Sequence, residues 1–157
     1  MTSTEIMLGL AGFLHNVFTV VWVGGVIMIA LTLLPAARQA FGNSPQLRSL
    51  MGAVLQRQRV WVYISIAGLF ITGLIQARAQ AAFHGLFRFD TVYAGLVSVK
   101  HLLTFAMIAI ALFRSLALSK QGGNATAEQS KRSITLIYVN AVLGVLILLL
   151  SGFMAAL

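Results

Sequence analysis

The sequence contains no cysteine and only three acidic residues, Glu5, Asp90 and Glu128. Without cysteine there are no disulfides, no thiolate metal sites and no thiol redox chemistry. Charge as a whole is scarce. Only 9% of residues are Asp, Glu, Lys or Arg, where an ordinary soluble domain carries about 25%. This excludes a soluble globular domain, a disordered tail and a nucleic-acid-binding module. No glycine-rich phosphate loop is present. The N-terminus, Met1-Thr-Ser-Thr-Glu5, has no basic stretch, and the apolar run behind it is too long for a signal-peptide core. That run reads as a retained helix.

What the sequence does have is apolar length: 59% of residues are hydrophobic and the mean hydropathy is +0.93. A helix needs about 20 apolar residues to cross roughly 30 Å of hydrocarbon. Four such spans fit one domain, residues 1–157, at about 6–34, 60–77, 93–113 and 133–157. Pro35 is expected to end the first span. Residues 46–58 are expected to form an interfacial amphipathic helix.

The 11 Lys+Arg and 3 Asp+Glu give a formal charge of +8. In a soluble protein this would suggest a polyanion partner. In a membrane protein it sets orientation. The first loop carries Arg38, Arg48, Arg57 and Arg59, and the third carries Arg114, Lys120, Lys131 and Arg132. The second has only Arg78 and Arg88. Loops one and three should therefore face the cytoplasm. The expected fold is an all-α integral membrane protein, a four-transmembrane-helix up-down bundle with both termini on the outer, periplasmic side. Its expected place is the bacterial inner membrane, as a multi-pass protein whose first partner is the lipid bilayer.

Ionisable groups inside hydrocarbon are costly and point to function. Three stand out: His15, Lys100 and His101. His15 lies early in the first span and His101 early in the third. Those helices run parallel in an up-down bundle. At about 1.5 Å per residue, both imidazoles fall roughly 12–14 Å below the outer surface. Two histidines at one depth on two helices suit axial ligation of one haem iron. The plainer alternative is that each histidine is simply hydrogen-bonded inside the bundle. No acid lies in the spans, so a buried carboxylate proton relay is excluded.

The neighbours fit a flat, bulky group. Trp22 is seven residues from His15, on nearly the same α-helical face. Gly73, beside Thr72, leaves room for a porphyrin or for close helix approach. Lys100 can snorkel outward to a haem propionate or to a lipid phosphate. Arg78, at the outer end of the second span, is a second propionate candidate. His84, in the second loop, reads as a solvated histidine or an outer copper or haem ligand. The six methionines are scattered, and no pair suggests a copper relay. Asn140 reads as an interhelical hydrogen-bonding residue.

These residues together resemble a known family. Phe13-Leu14-His15, then Trp22-Val23-Gly24-Gly25, then Pro35, resemble the first helix of the copper resistance protein D (CopD) membrane domain. Arg59 leading to Thr72-Gly73 is similar to its second helix, and Tyr93-Ala94-Gly95-Leu96 ahead of Lys100 to the start of its third. Ser151-Gly152 matches the small pair near the end of its last helix. HemJ-type protoporphyrinogen oxidases, a related group, share a histidine in the first helix and a lysine in the third. His15 and Lys100 match those positions. The resemblance implies a four-helix core and, for HemJ-type members, haem b. His101 is a feature of neither pattern. It favours a bis-histidine haem and weakens a transfer of oxidase activity. Longer CopD proteins carry further helices.

Four functions are compatible with these residues. The leading one is a small haem b membrane cytochrome, one haem per chain, passing electrons near the outer face. His15 and His101 would be its metal ligands. Lys100, Trp22, Gly73 and Arg78 would line the cofactor. Its redox partner would be a quinol, a cytochrome or a larger membrane complex, and a homo-oligomer is compatible with it. The alternatives are a HemJ-type protoporphyrinogen oxidase, a copper-handling protein using His84, Met7 and Met154, and an accessory subunit without a cofactor. A stand-alone oxidase is less favoured than an electron carrier, because a bis-histidine iron has no open position. Orientation is the first test. With cysteine substituted at single sites, an outer-face thiol reagent should label position 84 in intact cells and leave position 124 unlabelled. The reverse pattern would refute the loop-charge assignment.

Overall fold

The computed structural model describes residues 2–79, 89–121 and 126–156, and every regular element among them is helical. Four long helices account for nearly all of them: α1, Ser3–Phe41; α2, Pro45–Ala79; α3, Val92–Gln121; and α4, Ala127–Ala155. Each contains a stretch long and apolar enough to cross a membrane.

Local chemistry sets the ends. Thr2 and Glu5 form a reciprocal cap on α1. The Thr2 hydroxyl accepts from the Glu5 N–H at 3.3 Å, and the Glu5 carboxylate accepts from the Thr2 N–H at 2.9 Å. Thr126 and Gln129 repeat this device on α4. The Thr91 hydroxyl accepts from the Ala94 N–H at the start of α3. Helix α1 stops at Gly42, whose φ of 58° suits a residue without a Cβ. Ser44 and Pro45 then open α2.

Two expectations about boundaries need correction. Pro35 does not end α1, which runs on to Phe41. A wide π-turn, Ile29–Leu33, ends one residue before the proline, which then sits in the first turn of the α-helical stretch that follows, where a missing N–H is tolerated. Residues 46–58 are not a separate interfacial helix. They are the first turns of α2, which continues unbroken through 35 residues, about 52 Å at 1.5 Å per residue. No proline or capping turn interrupts 46–79, so a single helix keeps every backbone bond.

The helices alternate in direction. His15 meets Thr72 and Val21 meets Gln58, so α1 and α2 are antiparallel. Helix α3 packs on α4 and touches α2, while the second half of α1 packs on α4. Helices α1 and α3 therefore stand diagonally across the bundle. The end that holds the start of α2, the end of α3 and the start of α4 is the basic end.

Burial is inverted relative to a soluble domain. Phe70 and Val20 are 68% and 69% exposed, whereas Ser65 and Thr72 are 0% and 4% exposed. Many large apolar side chains face outward, toward lipid, while small hydroxyl residues join Trp22, Leu34, Met107 and Ile137 in the interior. Glycine permits the closest crossings. A Cβ on Gly68 would overlap the Phe18 ring, and one on Gly144 would stand 2.7 Å from Val23.

These contacts give a stability test. Gly68→Ala should destabilise the bundle by about 1–3 kcal/mol through overpacking. Gly9→Ala, with nothing near its Cβ, should be neutral or slightly stabilising. Thermal unfolding in detergent measures both. Equal midpoints for the two variants would show that the Gly68 crossing is not tight.

Candidate metal site in the bundle

His15 is half-buried on α1, against α2. Its Nδ1 lies 2.9 Å from Thr72 Oγ1. The Thr72 hydroxyl donates to the Gly68 carbonyl oxygen at 2.7 Å. A hydroxyl has one proton. With that proton on the carbonyl, Nδ1 carries the ring hydrogen and donates to Thr72, and Nε2 keeps its lone pair. Gly73 completes the seat, since a Cβ there would stand 3.8 Å from His15 Cε1.

His101 reaches the same state by a different route. Its Nδ1 lies 2.7 Å from the Val97 carbonyl oxygen, one turn earlier on α3. A carbonyl only accepts, so this Nδ1 also carries the hydrogen and Nε2 is again bare. An imidazole that donates from Nδ1 and offers Nε2 is oriented as metal ligands usually are.

Two crossings relate the depths of the histidines. Gly144 lies against both Val23 and Met107. From that level His15 is eight residues out and His101 six, an offset of about 3 Å. Tyr63 meets Ser115, nine residues from Thr72 and fourteen from His101. That register puts His101 about 7–8 Å farther out than Thr72. The first crossing sets His15 nearer the termini and the second sets His101 nearer, so the two bracket equal depth, within roughly a turn and a half of helix.

The other expected site residues divide. Lys100 is half-buried and close enough to His15 to interact electrostatically. Arg78 is exposed at the last turn of α2, at the end away from the basic end. Trp22 is placed elsewhere: it lines a cleft with Arg59 and Arg114 toward the basic end. It lies in a second π-turn, Val20–Gly24. The extra residue in that turn rotates the rest of the helix by about 100° from the α-helical register, so the seven-residue spacing no longer keeps the His15 face. His84 lies outside the described residues. Among the described residues, no group of three or more His, Asp or Glu could hold a metal. A metal here would rest on the imidazole pair.

Thr72 is the site residue that sequence reasoning misses. Its neighbour Gly73 stands out as a small residue, but the partner that gives Thr72 its role is 57 positions away on another helix. Asn140, expected to bond across helices, has its Oδ1 buried without a partner among the described residues. Removing the Thr72 hydroxyl tests the relay. Thr72→Val should cost about 1–3 kcal/mol, because His15 Nδ1 loses its hydrogen-bond partner. Thr72→Ser should stay close to wild type. An unchanged unfolding midpoint in Thr72→Val would show that the bond contributes nothing.

Comparison with curated proteins and with solved structures gave no match. Residues 52–154 match the family of copper resistance protein D, CopD. The match spans about two thirds of the chain and includes Thr72, Gly73, Lys100 and His101. It begins inside α2, so α1 and His15 precede it. With its four long apolar helices, the chain is a multi-pass membrane protein that belongs to the CopD family.

Proposed function

We propose that this protein handles copper within the membrane and that His15 and His101 are its metal-binding pair. The observation that carries the reading is the anchoring of both imidazoles through Nδ1. Each is anchored through Nδ1 and offers Nε2. Neutral imidazole nitrogen suits copper, iron and zinc, whereas magnesium and calcium require oxygen ligands. The chain has no thiolate to offer and no acid in its apolar spans. The CopD family match supplies the link to copper.

A second reading rests on Lys100. An ammonium beside His15 repels a copper ion, but it would pair with the propionate of a haem. This supports one haem b held by the same two histidines, with Lys100 and Arg78 as propionate partners. Helices α1 and α3 stand diagonally, so ligands from them would reach a group inside the bundle from two sides. Such a group would supply one-electron chemistry, and the protein would set its potential through ligation and burial. The redox partner would then be a quinol, a cytochrome or a larger membrane complex.

Metal analysis and a visible spectrum of the purified protein decide between these. The copper reading expects about one copper per chain, reduced at least about tenfold in His15→Ala and in His101→Ala. His84→Ala should keep its copper; loss there would move the site to the second loop. A red preparation with sharp reduced bands would establish the haem reading. A colourless, metal-free protein would overturn both.

A further inference from the structure

A second polar centre lies inside the bundle, toward the basic end and away from His15. A cleft there holds about 40 Å³ of water-accessible space, enough for roughly two or three waters. All four helices wall it: Trp22 from α1, Arg59 and Tyr63 from α2, Arg114 and Ser115 from α3, and Asn140 from α4. Trp22 is 2% exposed and Asn140 1%. Among the described residues, Trp22 Nε1, Arg114 Nε and Asn140 Oδ1 are all buried without a partner. Arg59 Nη1 reaches Ser115 Oγ at 3.5 Å, the outer limit of a hydrogen bond, and the Tyr63 hydroxyl donates to the same oxygen at 2.6 Å.

This lining has a chemical bias. Trp Nε1–H and the guanidinium N–H groups only donate. Two guanidiniums share the cleft and no carboxylate lines it. A buried cation without a counter-charge is costly. Water would supply acceptors but no negative charge. Turning the Asn140 amide by half a rotation presents its NH₂ as a further donor. The missing element is an anion with several acceptor oxygens. A carboxylate offers two oxygens in one plane. The donors here arrive from four helices, so a tetrahedral group meets more of them. Guanidinium forks match phosphate oxygens in particular.

The cleft also lies at a suitable depth. Arg59 immediately precedes the apolar run of α2, and Arg114 falls near the end of that of α3. Lipid phosphates and phosphate in solution both reach that level. We propose that the Trp22–Arg59–Arg114–Asn140 cleft binds one phosphate oxyanion, carried by an anionic phospholipid head group or as free phosphate.

Native mass spectrometry of the full chain, purified in phosphate-free detergent, tests the lipid source. One retained phospholipid per chain is expected. Its occupancy should fall about tenfold in Arg114→Gln and in Trp22→Phe, each of which removes a donor to a charged acceptor. Inorganic phosphate added to delipidated protein tests the other source. There the unfolding midpoint should rise with phosphate in the wild type and not in the two variants. Arg48→Gln, an exposed arginine of α2 near the same end that does not line the cleft, should behave as wild type in both arms. If Arg114→Gln does not fold, Trp22→Phe decides, because it keeps an aromatic ring and deletes the N–H. The proposal is overturned if the wild type retains neither lipid nor phosphate. It is equally overturned if Trp22→Phe binds as tightly as wild type, or if Arg48→Gln loses as much.

Discussion

Everything polar in this bundle must find its partner inside the protein, because hydrocarbon offers none. That one constraint shows in several of the small hydroxyl residues at the interior. The Thr72, Ser98 and Ser151 hydroxyls all donate to carbonyls one turn back on their own helices. Local satisfaction of this kind leaves oxygen lone pairs to spare. Thr72 spends its spare lone pair on His15, and a fixed imidazole results. The orientation of His15 thus depends on a hydrogen bond that Thr72 had to make in any case.

The constraint also separates two polar levels. Toward the termini, the imidazoles of His15 and His101 have satisfied N–H groups and bare nitrogens. Toward the basic end, Trp22 and Arg114 have N–H groups left over. The first level offers imidazole lone pairs, and the second is rich in N–H donors, with the Asn140 amide among them. A cation suits the first and an anion the second. Between them the interior is packed by Val23, Met107 and Gly144. The wide turn of α1 at Val20–Gly24 serves both arrangements. It aims Trp22 at the cleft, and the Gln58 amide donates to the Val21 carbonyl within it at 3.4 Å.

Much of the fold is legible in the sequence. Four apolar runs in a chain with few charges can only be membrane helices, and the loop arginines mark the segments between them. His15, Lys100 and His101 stand out because an ionisable residue in an apolar run is expensive wherever it points. Gly73 is conspicuous as a small residue and does lie against His15. The partners are not legible. Thr72, Gln58, Tyr63 and Ser115 are ordinary residues in sequence, and each gains its meaning from a helix it meets only in space.

The sequence by itself determined the solvent this protein lives in, the number of its long helices and the residues that are costly there. Those are properties of composition and of single runs, and they need no knowledge of neighbours. Tertiary structure decided which nitrogen of each histidine is anchored, that Trp22 leaves the His15 face, and that Arg59 and Arg114 share one cleft. Each of these depends on helix rotation and register. A single π-turn shifts a face by about 100°, and no local pattern in the sequence records that shift. Pro35 shows the same limit from the other side. Its ring is a local breaker, yet α1 continues, with the proline in the first turn after a widened one.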